Sequence, residues 1–191
     1  AYAVTNADLL AALKDGATHI YLYPGNYEFA ENPTIAADNV VIEGADKEAC
    51  VLKISKQLRA DNKSLTLKNL TTDVPAGLAY TEHTFAWIHY FKEFNMIDCN
   101  SNGRIRLNSH KANIEGCTFT VTTSGGFDGY ALHYQGADKS TVNVKSCTFN
   151  TAGKAIVMYN EGKPVFDLNV DDCTFTSSDS STDKAAIQMH T

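Results

Sequence analysis

One phrase recurs along this chain of 191 residues: two alternating apolar positions, a turn residue, then Cys-Thr-Phe. Ala112-Asn-Ile-Glu-Gly-Cys117-Thr-Phe-Thr matches Val142-Asn-Val-Lys-Ser-Cys147-Thr-Phe-Asn, and Leu168-Asn-Val-Asp-Asp-Cys173-Thr-Phe-Thr matches both. Phe94-Asn-Met-Ile-Asp-Cys99-Asn is a weaker copy. Leu65-Thr-Leu-Lys-Asn-Leu70-Thr and Val40-Val-Ile-Glu-Gly-Ala45 put Leu and Ala in the cysteine place. The four repeat cysteines are 18, 30 and 26 residues apart. Fixed strands joined by loops of varying length give such spacing.

Inside each copy the period is 2, the period of a β-strand. Apolar residues stand five and three before the Cys, at the Cys, and two after it. The residue before it is Gly44, Asn69, Asp98, Gly116, Ser146 or Asp172, which suits a tight bend in the left-handed region. A further strand follows each copy after a loop: Arg104-Ile-Arg-Leu-Asn108, Ala131-Leu-His-Tyr-Gln135, Ala155-Ile-Val-Met-Tyr159 and Ala186-Ile-Gln-Met-His190. Their inward pairs are Ile105/Leu107, Leu132/Tyr134, Ile156/Met158 and Ile187/Met189. The expectation is an all-β, single-stranded right-handed parallel β-helix, with three strands per coil and about six to seven coils.

The two ends read differently. Asn6-Ala-Asp-Leu-Leu-Ala-Ala-Leu-Lys-Asp-Gly16 predicts an amphipathic helix over 6–16, with Asn6 as N-cap and Gly16 as C′ residue. It would cover the first open edge of a single domain spanning 1–191. The last strand, ending at Thr191, shows no matching cap. The expectation there is a longer solenoid, or an end covered by self-association or further domains.

Composition narrows the partners. A formal net charge of −6 without a basic run argues against nucleic acid. No apolar run approaches the length of a membrane helix. Ala1-Tyr-Ala-Val-Thr has neither the basic nor the apolar part of a signal peptide, so a leader, if used, has been removed. Five cysteines without a CxxC fit neither a zinc site nor a disulfide framework, and the repeat place marks four of them as buried thiols. No metal site or cofactor is expected. Scattered Asp and Glu leave calcium open, though no loop has calcium-loop spacing.

The opening helix, then Thr18-His-Ile-Tyr-Leu-Tyr-Pro-Gly-Asn-Tyr27 and Val40-Val-Ile-Glu-Gly44, resembles the start of pectin-lyase-like β-helix proteins. The Cys-Thr-Phe coils resemble their later turns. The chain is also similar to β-helix domains of secreted or lipid-anchored proteins of glycan-degrading gut bacteria. The resemblance implies a place outside the cell or on the outer surface of a bacterium. Its activity motifs do not carry over. The Asn-Thr-Asp, Asp-Asp and Gly-His-Gly segments of polygalacturonase-like glycosidases find no counterpart, since Asp171-Asp172 sits at a structural turn. The Gln-Asp-Thr of pectin methylesterases is absent. Pectate lyases use an Arg base beside carboxylates that hold calcium. Arg104 and Arg106 could supply that base, with His133 nearby, but no carboxylate cluster accompanies them.

In this fold, ligands lie along the outward face of the strand after the long loop. There the register places Lys53 in an early coil, then Arg104 and Arg106, His133 and Gln135, Val157 and Tyr159, and Gln188 and His190. Planar donors and a ring suit a sugar. His83, His89 and His110 lie near this face without a catalytic partner. Trp87 is expected in the core. Thr118-x-Thr120, Thr148-x-Asn150 and Thr174-x-Thr176 point hydroxyls outward, a pattern that can bind ice but also one that strands favour. Asn95, Asn113, Asn143 and Asn169 form a column read as coil-to-coil amide bonding. Two functions remain: a non-catalytic glycan-binding or scaffolding module, or a polysaccharide lyase or hydrolase acting on a uronate-containing glycan.

Overall fold

The computed structural model of the chain describes residues 1–74, 87–135, 139–159, 166–179 and 184–190. All strand pairs are parallel, and they form three sheets of eight, seven and six strands. The chain visits the sheets in rotation, so it is a parallel β-helix. Six strands in the third sheet mark five full turns, slightly fewer than expected, because the first two sheets begin before the third has a strand.

The first sheet shows why the sequence winds this way. Val40/Ile42, Leu65/Leu67, Phe94/Met96, Ala112/Ile114 and Val142/Val144 alternate inward and are all buried. Register is kept residue for residue, as in Phe94 to Ala112 to Val142 to Leu168. Stacking at about 4.8 Å puts like on like. Phe119, Phe149 and Phe175 form a column of nearly parallel rings, 4.8 and 5.1 Å apart between centroids. The Asn column is a ladder of amides. Asn169 donates to Asn143 at 2.9 Å, Asn143 to Asn113 at 2.9 Å, Asn113 to Asn95 at 2.7 Å, and Asn95 to Thr66 Oγ1 at 3.2 Å.

The bend between the first two sheets follows the sequence reading with one exception. Asn69, Asp98, Gly116, Ser146 and Asp172 have φ between 48° and 65°. Gly44 lies outside the left-handed region. A Cβ there would collide with the Asn69 carbonyl oxygen, so glycine is needed for close approach. The thiols of Cys99, Cys117 and Cys147 are buried and free, and Cys173 is half-buried. Each donates to carbonyls, as Cys117 does to Met96 O at 3.3 Å. Polar residues also take inward positions: Thr72 and Ser101 are fully buried in the column between Leu52 and Phe119.

Helix α1 (Asn6–Lys14) packs on the first strands and buries Leu9 and Leu13 in the core. Its N-cap is Thr5, one residue before the expected Asn6. Thr5 Oγ1 accepts from Asp8 N at 3.2 Å, and Asp8 Oδ2 accepts from Thr5 N at 2.8 Å, a reciprocal capping box. Asn6 instead accepts from Glu28 N at 2.8 Å and ties the helix to the edge of the second sheet. Gly16, at φ 81°, ends the helix as expected. At the other end Ile187 and Met189 are exposed on the last strand of the third sheet.

Two stability changes follow. Asn143→Ala removes two rungs of the ladder and should lower unfolding free energy by about 1–3 kcal/mol in urea titration. Ser101→Ala removes a buried hydroxyl that has no hydrogen-bond partner, and should raise it by roughly 1 kcal/mol.

Candidate functional site

The third sheet brings the expected ribbon together. Arg106 pairs with His133, His133 with Val157 and Val157 with Gln188; Gln135 pairs with Tyr159 and Tyr159 with His190. Lys53 does not belong to it. It sits on the second sheet (strand Cys50–Ile54), 3.4 Å from Glu28. The third-sheet residue of that coil is Arg59, bonded twice to Asp61 and lying 4.6 Å from the Tyr90 ring centroid.

The ribbon is roofed, contrary to an open ligand face. Arg104 and Arg106 are 3% exposed, and His133 and Val157 1%. The loop before strand Tyr130–Gln135 folds over it. The Phe127 ring stacks on His133 with centroids 5.7 Å apart, Tyr130 meets His133 edge-on at 5.2 Å, and Arg104 lies 6.0 Å from the Phe127 centroid. Gly153 lets this loop sit close, because a Cβ there would strike the Gly129 carbonyl. Arg106 Nη2 donates to Gln135 Oε1. Gln135, Tyr159, Gln188 and His190 stay half-buried along the ribbon's edge, with Tyr159 and His190 rings 5.4 Å apart. His110 is exposed. Ile88 and Phe91 are buried, while the side chains of Trp87 and His89, and all of His83, lie outside the described residues.

The open concave face lies on the second sheet. Its outward columns run Val51, Thr71, Asn100, Thr118, Thr148, Thr174 and Lys53, Asp73, Asn102, Thr120, Asn150, Thr176. They include the Thr rows read from the sequence. Three cavities of about 350, 470 and 270 Å³ follow one another along this face, and Asp73 lines all three. Together they make a trough across successive coils, from Asn26 and Glu28 past Asn100 and Asn102 to Arg104. Its lining carries Glu28, Glu48, Asp73 and Asp128 against Lys53 and Arg104, an acidic balance. The Ser55 hydroxyl, bonded to Glu28 at 2.7 Å, holds that carboxyl below its ordinary range, with Lys53 adding to the effect. A further cavity of about 310 Å³ opens at the last coil beside Lys184. No group of three His, Cys, Asp or Glu placed to hold a metal occurs among the described residues.

Sequence reasoning found the outward Thr rows of three coils but not the trough, which runs over earlier coils from Asn6 of the helix to Thr122, Thr123 and Asp128 after strand Thr118–Val121. Phe127, an aromatic just after Gly125-Gly126, is the signal that could have revealed the roof. Comparison with family models, with curated proteins and with solved structures finds no match.

The roof has a pH signature. Burial first, then the charges of Arg106, Arg104 and His190, push the His133 imidazole well below its ordinary 6.5. The unfolded chain regains that affinity and takes up a proton the folded one refuses. Stability is therefore full above about pH 6.5 and falls as pH drops below it, by up to about 2 kcal/mol at pH 5. His133→Phe should flatten this decline in urea midpoints measured at pH 8 and pH 5. Equal slopes in the two proteins would show that His133 does not cause it.

Proposed function

We propose that this β-helix is a non-catalytic carbohydrate-binding and scaffolding module of the pectin-lyase-like kind, secreted or displayed on a bacterial surface. The observation that carries the reading is the trough on the second sheet. It is long and floored by hydroxyls and amides at coil spacing, and the buried column Leu52, Thr72, Ser101 and Phe119 lies beneath it. Amide, hydroxyl and carboxylate groups pair with sugar hydroxyls, and a floor already ordered loses little entropy on binding. No helix among the described residues is long and apolar enough to cross a membrane.

Two features favour binding over uronate cleavage. Arg106 is 3% exposed and lines none of the trough's cavities, and Arg104 shows the trough's end only 3% of its surface, so a polymer has little access to either as base or clamp. The trough's carboxylates outnumber its cations, which repels a polyuronate and suits a neutral glycan.

Affinity electrophoresis in gels containing xylan, galactomannan, β-glucan or polygalacturonate tests this. At least one neutral polysaccharide should retard the protein. Asp73→Ala combined with Asn102→Ala should weaken that retardation about tenfold or more. Retardation by polygalacturonate alone, or growth of the ultraviolet absorbance of unsaturated products, would replace binding with the lyase reading.

A further inference from the structure

The outer face of the first sheet opens on a group of rings. Strands Tyr2–Ala3 and His19–Leu22 pair Tyr2 with Tyr21. His19 precedes Tyr21 by two residues and shares its face. The His19 and Tyr21 rings stack at 4.2 Å and 19°, and the Tyr2 and Tyr21 rings at 5.6 Å and 25°. Tyr23 stands 6.2 Å from Tyr2, tilted by 47°. These are large apolar surfaces left in water: Tyr2 is 71% exposed, Tyr23 49% and Tyr21 39%. The backbone beneath them is pinned, because the buried Tyr27 hydroxyl lies 2.8 Å from both Ala3 O and Tyr23 O and shares its one proton between the two carbonyls.

The rim is polar and electrically balanced. Glu43 follows Tyr21 in the same column, and Lys68 follows Glu43. Glu43 takes Lys68 at 3.0 Å and His19 at 2.8 Å. Lys68 first, and His19 with it, hold the Glu43 carboxyl below its ordinary range. Its charge is already matched, so the rim offers little to a free cation or anion.

We propose that this stack is a platform for a pyranose ring of a neutral glycan. The sugar's C–H face continues the stack on Tyr2, Tyr23 forms a side wall, and the phenol hydroxyls meet the sugar hydroxyls. A pre-ordered aromatic face ringed by polar groups fits a molecule with one apolar face and a hydroxylated edge. The proposal takes its ligand class from the trough reading, but the platform lies on a different sheet and can be tested separately.

The test is a titration of the intact protein with cellohexaose, xylohexaose and mannohexaose, following the tyrosine ring signals by nuclear magnetic resonance. At least one should move the Tyr2 and Tyr23 signals saturably. Tyr23→Ala should weaken that event about tenfold, and Tyr23→Phe should keep most of the affinity. The platform signals should still move in the Asp73→Ala, Asn102→Ala variant. If these sugars bind but leave the tyrosine signals unmoved, the platform is wrong and the trough stands. If the signals move and the trough variant binds as before, the trough fails and the platform stands. No saturable shift with any of the three overturns the platform.

Discussion

Coil-on-coil register is the constraint on which the rest of this molecule depends. In a parallel helix of strands each residue faces its counterpart one turn away, at about 4.8 Å. Any residue type that repeats becomes a column, and its chemistry is multiplied. Phenylalanine gives a stack of rings, asparagine a chain of amide bonds, cysteine a row of thiols bonded to carbonyls. Cys117, with Cys147 and Cys99 on either side, has its ionisation pushed far up, by the contact with Cys147 first and then by Cys99 and burial. A thiol so placed is packing material rather than a nucleophile.

The same constraint explains what could be read from the sequence. Strand register follows from period and phrase, so the pairing of Arg106 with His133 and of Tyr159 with His190 was legible residue by residue. Where the phrase weakens, reading fails. Lys53 lies before the third sheet has a strand, and it was assigned to the wrong sheet. Thr72 and Ser101 fill inward places where the phrase calls for an apolar residue. Gly44 looks like the left-handed bend residues but serves a close backbone approach. Burial of the ribbon was not legible, because it depends on a loop folding back over a sheet. Loop paths leave no periodic signal.

The trough and the group of tyrosine rings differ in kind. The trough is a floor of strand hydroxyls and amides, bordered by Asn6 at one end and by Thr122, Thr123 and Asp128 at the other, while the proposed platform is a short run of rings beside a closed ion network. The roofed third sheet has a different role. It holds Arg104, Arg106 and His133 away from water, and at neutral pH it keeps the histidine uncharged. Recognition on such a scaffold belongs to faces where the columns reach solvent. The buried columns hold the backbone under those faces in place.

The asparagine ladder also has a direction. Every amide donates toward the N-terminal neighbour, from Asn169 down to Thr66. Aligned amide dipoles reinforce one another along such a row. The row therefore has two unlike ends: it starts at the Asn169 amide as donor and finishes on the Thr66 hydroxyl oxygen as acceptor, so each interior asparagine serves one neighbouring coil as donor and the other as acceptor.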